Sequence, residues 1–238
     1  NVNSGSIHLS VQEILNIIFR HQGDETSYNI VWEIRLPRIL AVIILGGALS
    51  VSGFLLQTFF NNPIAGPFVL GISSGAKLIV AFLMIFLLSR SVSIGSGAMI
   101  LAAFAGSMIS MGFVLLVAKK VHNMSMLVIS GVMIGYICSA ITDFVVTFAD
   151  DSNIVNLHNW SLGSFSGMTW GNVRTMAVVV LLTMVIVFFM SKPISAYQLG
   201  ETYAQNMGVN IKVFRILLIL LSSILSACVT AFALSLIH

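Results

Sequence analysis

Long apolar runs separated by short polar breaks dominate the chain. Approximately Pro37–Phe60, Val69–Leu88, Gly97–Ala118, Met126–Phe148, Val173–Met190 and Val213–Leu236 are almost continuously apolar. About 20 apolar residues in a helix cross the hydrocarbon core of a bilayer, so the pattern predicts six membrane spans. Each run also holds small residues, as in "LGGALSVSG" (45–53) and "LAAFAGSMISMG" (101–112). In lipid no hydrophobic force draws helices together, and small residues let their backbones approach. The expectation is an all-α, polytopic transmembrane helical bundle rather than a set of isolated anchors.

The polar breaks carry their own helical signals. Residues 1–36 read as a polar arm. In it Ser10 and Glu13 have capping-box spacing, and Val11, Ile14, Leu15, Ile18 and Phe19 recur at helical intervals. This predicts a short amphipathic helix lying on the bundle or at the interface, followed by a membrane domain over 37–238. Within that domain, "SKPISAYQLGETYAQNMGVNIK" (191–212) is the most polar internal segment. Ser195 and Gln198 again have capping-box spacing, Gly208 is placed to end a helix, and Asn210 is placed to start the next one. A plain connector and a lever touched by a partner explain this segment equally well.

Composition strengthens the membrane reading. The chain is 58% hydrophobic and 8% charged, against about 25% charged for soluble domains. A net charge of +3, scattered along the chain, gives no nucleic-acid surface. Cys138 and Cys228 lie inside apolar runs, and the five histidines have no metal-ligand spacing. No cofactor or metal is expected. No phosphate loop or catalytic pair is found either, so the chain is not expected to be an enzyme.

Counting Lys and Arg on alternating sides gives six on one face (Lys77, Lys119, Lys120, Lys192, Lys212, Arg215) and five on the other (Arg20, Arg35, Arg38, Arg90, Arg174). Without the arm and its junction the second count falls to two. The first face is then cytoplasmic, which puts Arg35 and Arg38 of "WEIRLPRIL" outside, against the usual rule.

Four stretches carry a resemblance: "RLPRILAVIILGGALSVSGFLLQTFFNNPIAGPFVLGISSGAKL" (35–78), "LVISGVMIGYICSAI" (127–141), "NWSLGSFSGMTW" (159–170) and "LGETYAQNMGVN" (199–210). In this order they resemble the membrane permease subunits of ABC importers for iron-siderophores, haem and cobalamin. The resemblance runs from about Trp32 to Thr230. It implies two permease subunits, alike or different, enclosing a path across the bacterial cytoplasmic membrane. It further implies a cytoplasmic ATPase and an extracytoplasmic substrate-binding protein. The chain reads as beginning after the family's first span and stopping in its seventh.

By resemblance, Arg35 and Arg38 meet carboxylates of the docking protein, and the linker becomes an ATPase-coupling segment through Glu201, Ala204, Met207 and Gly208. Met124 and Ser125 fall at the cytoplasmic gate. Each has a plainer physical reading. The two arginines can snorkel to headgroups. "NNPIAGP" can be a tight turn forced by Pro63 and Pro67. Gly71 and Gly75 serve close packing, Lys77 snorkels, and Trp160 and Trp170 suit an interfacial belt. Asp143, the one acid clearly inside a span, either lines the path or is satisfied by Thr142, Thr147 and backbone. Import of an iron-siderophore or related chelate is the leading expectation. A secondary transporter, an intramembrane enzyme and a non-functional permease fragment are the alternatives.

Overall fold

In the computed structural model, residues 9–20, 24–88, 96–118 and 124–233 are described. All of their regular structure is helical. The arm folds as expected into α1 (Val11–Arg20). Glu13 Oε2 accepts from the Ser10 amide at 2.8 Å and from Ser10 Oγ at 2.9 Å, and the Glu13 amide donates back to Ser10 Oγ at 3.2 Å. That is a closed capping box. Part of the expected face is buried: Ile14, with Ile18 beside it, packs with Ile17, Leu9 and Val31, while Leu15 and Phe19 are exposed. The apolar sector of α1 is wide enough to serve two sides, and sequence spacing does not choose between them.

The next helix is continuous from Glu25 to Phe60, so it crosses the expected boundary at residue 36 without a break. It comprises α2 (Glu25–Asn29), a π-helical segment (Ile30–Arg35) and α3 (Leu36–Phe60). The π register has a direct consequence. The Leu36 amide donates to Val31 O, five residues back, so it is directed away from Trp32 O. Residue 37, the next donor in that register, is a proline and has no N–H. Of the two backbone amides that a helix offers to Trp32 O, one is engaged elsewhere and the other does not exist. Trp170 Nε1 donates to this oxygen instead, at 3.0 Å from across the bundle.

At its other end α3 stops at Asn61, in the left-handed region at φ +48. Asn62 Oδ1 then accepts from the Ile64 amide at 3.0 Å. A short 3₁₀ turn (Pro67–Leu70) leads into α4 (Ile72–Leu88). The two predicted packing glycines serve different neighbours. Gly71, at φ +66, lies against Gly131 O and the backbone of Gly135. Gly75 lies against Gly106 O and Ser110. Irregular backbone at membrane depth is tolerated where protein covers it, and here Gly66, Pro67 and Leu70 are buried.

The remaining helices are α5 (Ser96–Ala118), α6 (Met124–Val146), α7 (Asp151–Leu162), α8 (Trp170–Phe189), α9 (Ser191–Gln198), α10 (Glu201–Asn206) and α11 (Ile211–Ala233). Among the described residues, five helices are long and apolar enough to cross a membrane, and the described part of α4 is a shorter apolar sixth. The protein is a multi-pass membrane protein with the six spans the hydropathy pattern marked. α11 is the central helix, contacting α3, α4, α5 and α8, with Leu218, Leu225, Ala227 and Val229 fully buried.

Inside the bundle α11 and α3 are joined by hydroxyls. Ser52 Oγ donates to Ser222 O at 2.9 Å, Ser222 Oγ donates to Ser52 O at 3.0 Å, and Ser226 Oγ lies 2.6 Å from Ser52 Oγ. All three serines are fully buried. In lipid such bonds each contribute about 0.6 kcal/mol on average, so they fix register more than they supply stability.

Candidate functional surfaces at the two ends of the bundle

One end gathers the start of α3, the α7–α8 loop and the start of α8. Arg38 does not extend freely from it. Its Nε donates to Phe165 O at 3.2 Å and its Nη2 to Ser166 O at 3.4 Å, so the guanidinium fork closes on two consecutive carbonyls of the loop. Arg35, one turn earlier, is half-buried and is also held by an interaction. The Trp32 and Trp170 rings meet at 5.5 Å, and Tyr28 stacks on Trp32 at 6.0 Å. Trp170, expected only to sit at the interface, thus joins two elements through its indole N–H. Trp160 packs against the apolar cluster between α4 and α5.

The opposite end holds the linker, which forms two short helices rather than one. Ser195 does not cap either. It lies inside α9, and its hydroxyl donates to Ser191 O at 3.1 Å. Gln198, free of that box, donates from Nε2 to Thr58 Oγ1 in the last turn of α3, at 3.2 Å. The other two signals hold: Gly208 takes φ +86, and Asn210 Oδ1 accepts from the Val213 amide at 3.3 Å.

Glu201 is exposed but paired. Its Oε1 accepts from Tyr197 Oη at 2.9 Å and from Arg215 Nη2. Arg215 Nε also donates to Tyr197 Oη, at 3.2 Å. Burial pushes the Tyr197 phenol above its ordinary value near 10, so it remains a donor at neutral pH. Ala204 is fully buried. Of the four linker residues singled out by sequence, Glu201, Met207 and Gly208 are exposed and only Ala204 is buried. Leu199, Tyr203 and Met207 are also exposed apolar side chains on this segment. Sequence reading missed Leu199 and Tyr203, because the break at Gly200 leaves no helical interval that links them. It missed Arg215 as a partner too.

Between the ends, Met124 and Ser125 open α6, where the backbone alone is described. Lys119 and Lys120 lie outside the described residues, as does Arg90. Asp143 is exposed on α6. The threonines beside it do not satisfy it: Thr142 Oγ1 donates to Cys138 O at 2.8 Å and Thr147 Oγ1 to Phe144 O at 2.6 Å. Tyr136, Asp143 and Thr147 are exposed and Ser139 is half-buried. Their spacing of three, four and four puts the four residues on one helix face. The exposed faces of α5 (Leu101, Ile109, Phe113, Leu116) and of the middle of α8 (Val178, Leu181, Leu182, Val185) carry no such polar row. Among the described residues no cluster of three or more His, Cys, Asp or Glu could hold a metal.

Known proteins share this arrangement. Residues 1–234 match the model of the FecCD transport family. The chain is 29% identical over 232 residues to the hemin transport system permease protein HmuU of Yersinia pestis, covering 97% of this chain and 68% of that protein. It is 34% identical over 190 residues to the vitamin B12 import system permease protein BtuC of Salmonella typhi, covering 80% of this chain and 57% of that one. Its fold superposes with a TM-score of 0.83 at 25% identity on a solved metal-chelate type ABC transporter in an inward-facing conformation, covering 99% of this chain and 73% of the other. The chain thus spans between about half and two thirds of the length of these curated relatives. The chain belongs to the FecCD transport family of membrane permeases.

Proposed function

We propose that this chain lines one side of the translocation path of an ATP-driven importer in the bacterial cytoplasmic membrane, and that the cargo is a metal chelate of the siderophore, haem or corrinoid class, with an iron-siderophore first. A second permease subunit, identical or related, would supply the other side. The observation that carries this reading is the contrast between helix faces. A carboxylate on a lipid-facing helix costs about 2.5–3.5 kcal/mol at the bilayer centre by insertion scales and less toward the helix end, where Asp143 lies; the hydroxyl of Tyr136, exposed at the middle of α6, adds to the mismatch. The Tyr136–Ser139–Asp143–Thr147 row suits water or a polar cargo, whereas the outer faces of α5 and α8 suit lipid.

The two ends suit two partners. Arg35 and Arg38 would meet carboxylates of an extracytoplasmic substrate-binding protein. The exposed Leu199, Tyr203 and Met207 would meet an apolar groove of the cytoplasmic ATPase. Met124 and Ser125, at the cytoplasmic start of α6, would narrow the path there. The permease hydrolyses nothing in this scheme; its helices shift as bodies when the ATPase closes.

The test is reconstitution of the permease with its ATPase and binding protein in proteoliposomes. ATP-dependent uptake of ferric siderophores, haemin and cobalamin would be measured side by side. Uptake of at least one is expected, and Asp143→Leu should slow it. A complete complex that hydrolyses ATP yet moves none of the three classes would sink the assignment.

A further inference from the structure

α10 is a six-residue helix bracketed by two glycines with positive φ, Gly200 at +127 and Gly208 at +86. Glycine there is conformationally permissive, and such a piece, hinged at both ends, would swivel rather than transmit a push. Two side-chain bonds bridge these hinges. Tyr197 Oη to Glu201 Oε1 crosses Gly200, and Arg215 Nη2 to the same oxygen crosses Gly208. Arg215 Nε to Tyr197 Oη closes the ring. Backbone bonds such as Gly208 N to Gln205 O and Val209 N to Ala204 O, both at 3.0 Å, keep the turns in shape, and buried Ala204 seats α10 in the core it shares with α9 and α11; among the side-chain bonds, it is the ring that draws the three helices onto one point.

We propose that Tyr197, Glu201 and Arg215 form a latch that makes α9, α10 and α11 move as one body, with Glu201 acting through Arg215 and not by touching the ATPase. This rests on the reading of the linker as the coupling segment, and it changes the role of Glu201 within it. Around the latch the fastening is two-sided. Gln198 reaches Thr58 of α3, and the Tyr197 ring lies 5.2 Å from that of Phe214. The carboxylate is held on one oxygen by both partners, while Leu199, Tyr203 and Met207 are exposed apolar side chains.

The magnitudes point to transmission rather than folding. Glu201 and Arg215 are 46% and 29% exposed, and pairs of that kind add little to stability. What the ring supplies is orientation: the phenol uses its one donor and accepts one, and the carboxylate takes two donors on one oxygen. Arg215, Tyr197 and Glu201 are therefore positioning residues, and the exposed Leu199, Tyr203 and Met207 make the contact.

The test uses the reconstituted complex of permease, ATPase and binding protein. Cargo moved per ATP hydrolysed and permease affinity for the ATPase are both measured. Glu201→Ala and Arg215→Ala should each cut cargo per ATP by about fivefold or more, the lower range of measured coupling between sites. Affinity for the ATPase should stay unchanged. The double variant should be no worse than either single, and the exchange E201R/R215E should recover part of the loss, which a merely structural role would not. Loss of ATPase affinity in Glu201→Ala but not in Arg215→Ala would overturn the latch, as would additive losses or an exchange without recovery. Met207→Glu is the control for the underlying reading. If it leaves ATPase affinity intact, the coupling surface itself is wrong and the latch falls with it. If it abolishes affinity while the Glu201 and Arg215 variants diverge, only the latch is wrong.

Discussion

Trp170 donates its indole N–H to the carbonyl oxygen of Trp32 at 3.0 Å, across 138 positions of sequence. The acceptor is available because a π register and a proline together direct helical donors away from it. Trp170→Phe keeps an aromatic ring but removes the indole donor, at a cost of about 1–3 kcal/mol. Pro37→Ala restores an N–H at the position the register asks for. Thermal unfolding in mild detergent should therefore show that Trp170→Phe costs less in the Pro37→Ala background than alone. Equal costs in both backgrounds would mean that the restored amide does not serve Trp32 O.

Arg38 is held by the loop it was expected to project past. Arg38→Lys keeps the charge and loses the two-point fork. With about 1 kcal/mol lost from the pair of bonds, amides of residues 163–169 should open about fivefold more often. Hydrogen exchange by mass spectrometry reads this directly. If Arg38 also meets the binding protein, Arg38→Lys should weaken docking less than Arg38→Glu does.

Helix contact through glycine gives a position-specific prediction. A Cβ on Gly106 would lie 2.3 Å from Gly75 O, and one on Gly75 would lie 2.7 Å from Gly106 O. Neither obstacle is a side-chain tip that can rotate away. Gly106→Ala and Gly75→Ala should each destabilise by about 1–3 kcal/mol or more, as overpacking does. Gly112→Ala, with nothing within 4 Å of its added carbon, should be neutral or gain up to about 1 kcal/mol from helix propensity. Denaturation of the three variants in one detergent ranks them.

The Tyr197 phenol has a raised pKa, chiefly through burial. A group whose folded pKa lies above its unfolded one contributes stability in its protonated form. That contribution is complete below the unfolded value and disappears as pH rises through the folded one. The stability difference between the wild type and Tyr197→Phe should be constant from neutral pH to about pH 9 and should shrink above about pH 10. A difference that shrinks below pH 8 would contradict the direction of the shift.

How far the sequence revealed all this depends on the range of each interaction. The six spans were legible because an apolar run of bilayer length has few other uses. The Ser10–Glu13 capping box was legible because both partners lie within one turn. The same spacing at Ser195 and Gln198 misled, because there the hydroxyl bonded back into its own helix and the amide found Thr58. Side-chain partners far along the chain left no local trace. Arg38 looked free because its acceptors are the carbonyls of Phe165 and Ser166. Glu201 looked unpaired because its partner Arg215 belongs to the next span. Asp143 was found from its chemistry alone, but the polar row it shares needed the exposure of α6.

The entry into α4 bears on how the bundle is assembled. The 3₁₀ turn and Gly71 that precede α4 are irregular backbone that lipid cannot satisfy, and α6 packs over them, with Gly131 and Gly135 lying against Gly71. α6 follows α4 in the chain. The cover for the start of α4 therefore arrives only once α6 has been made.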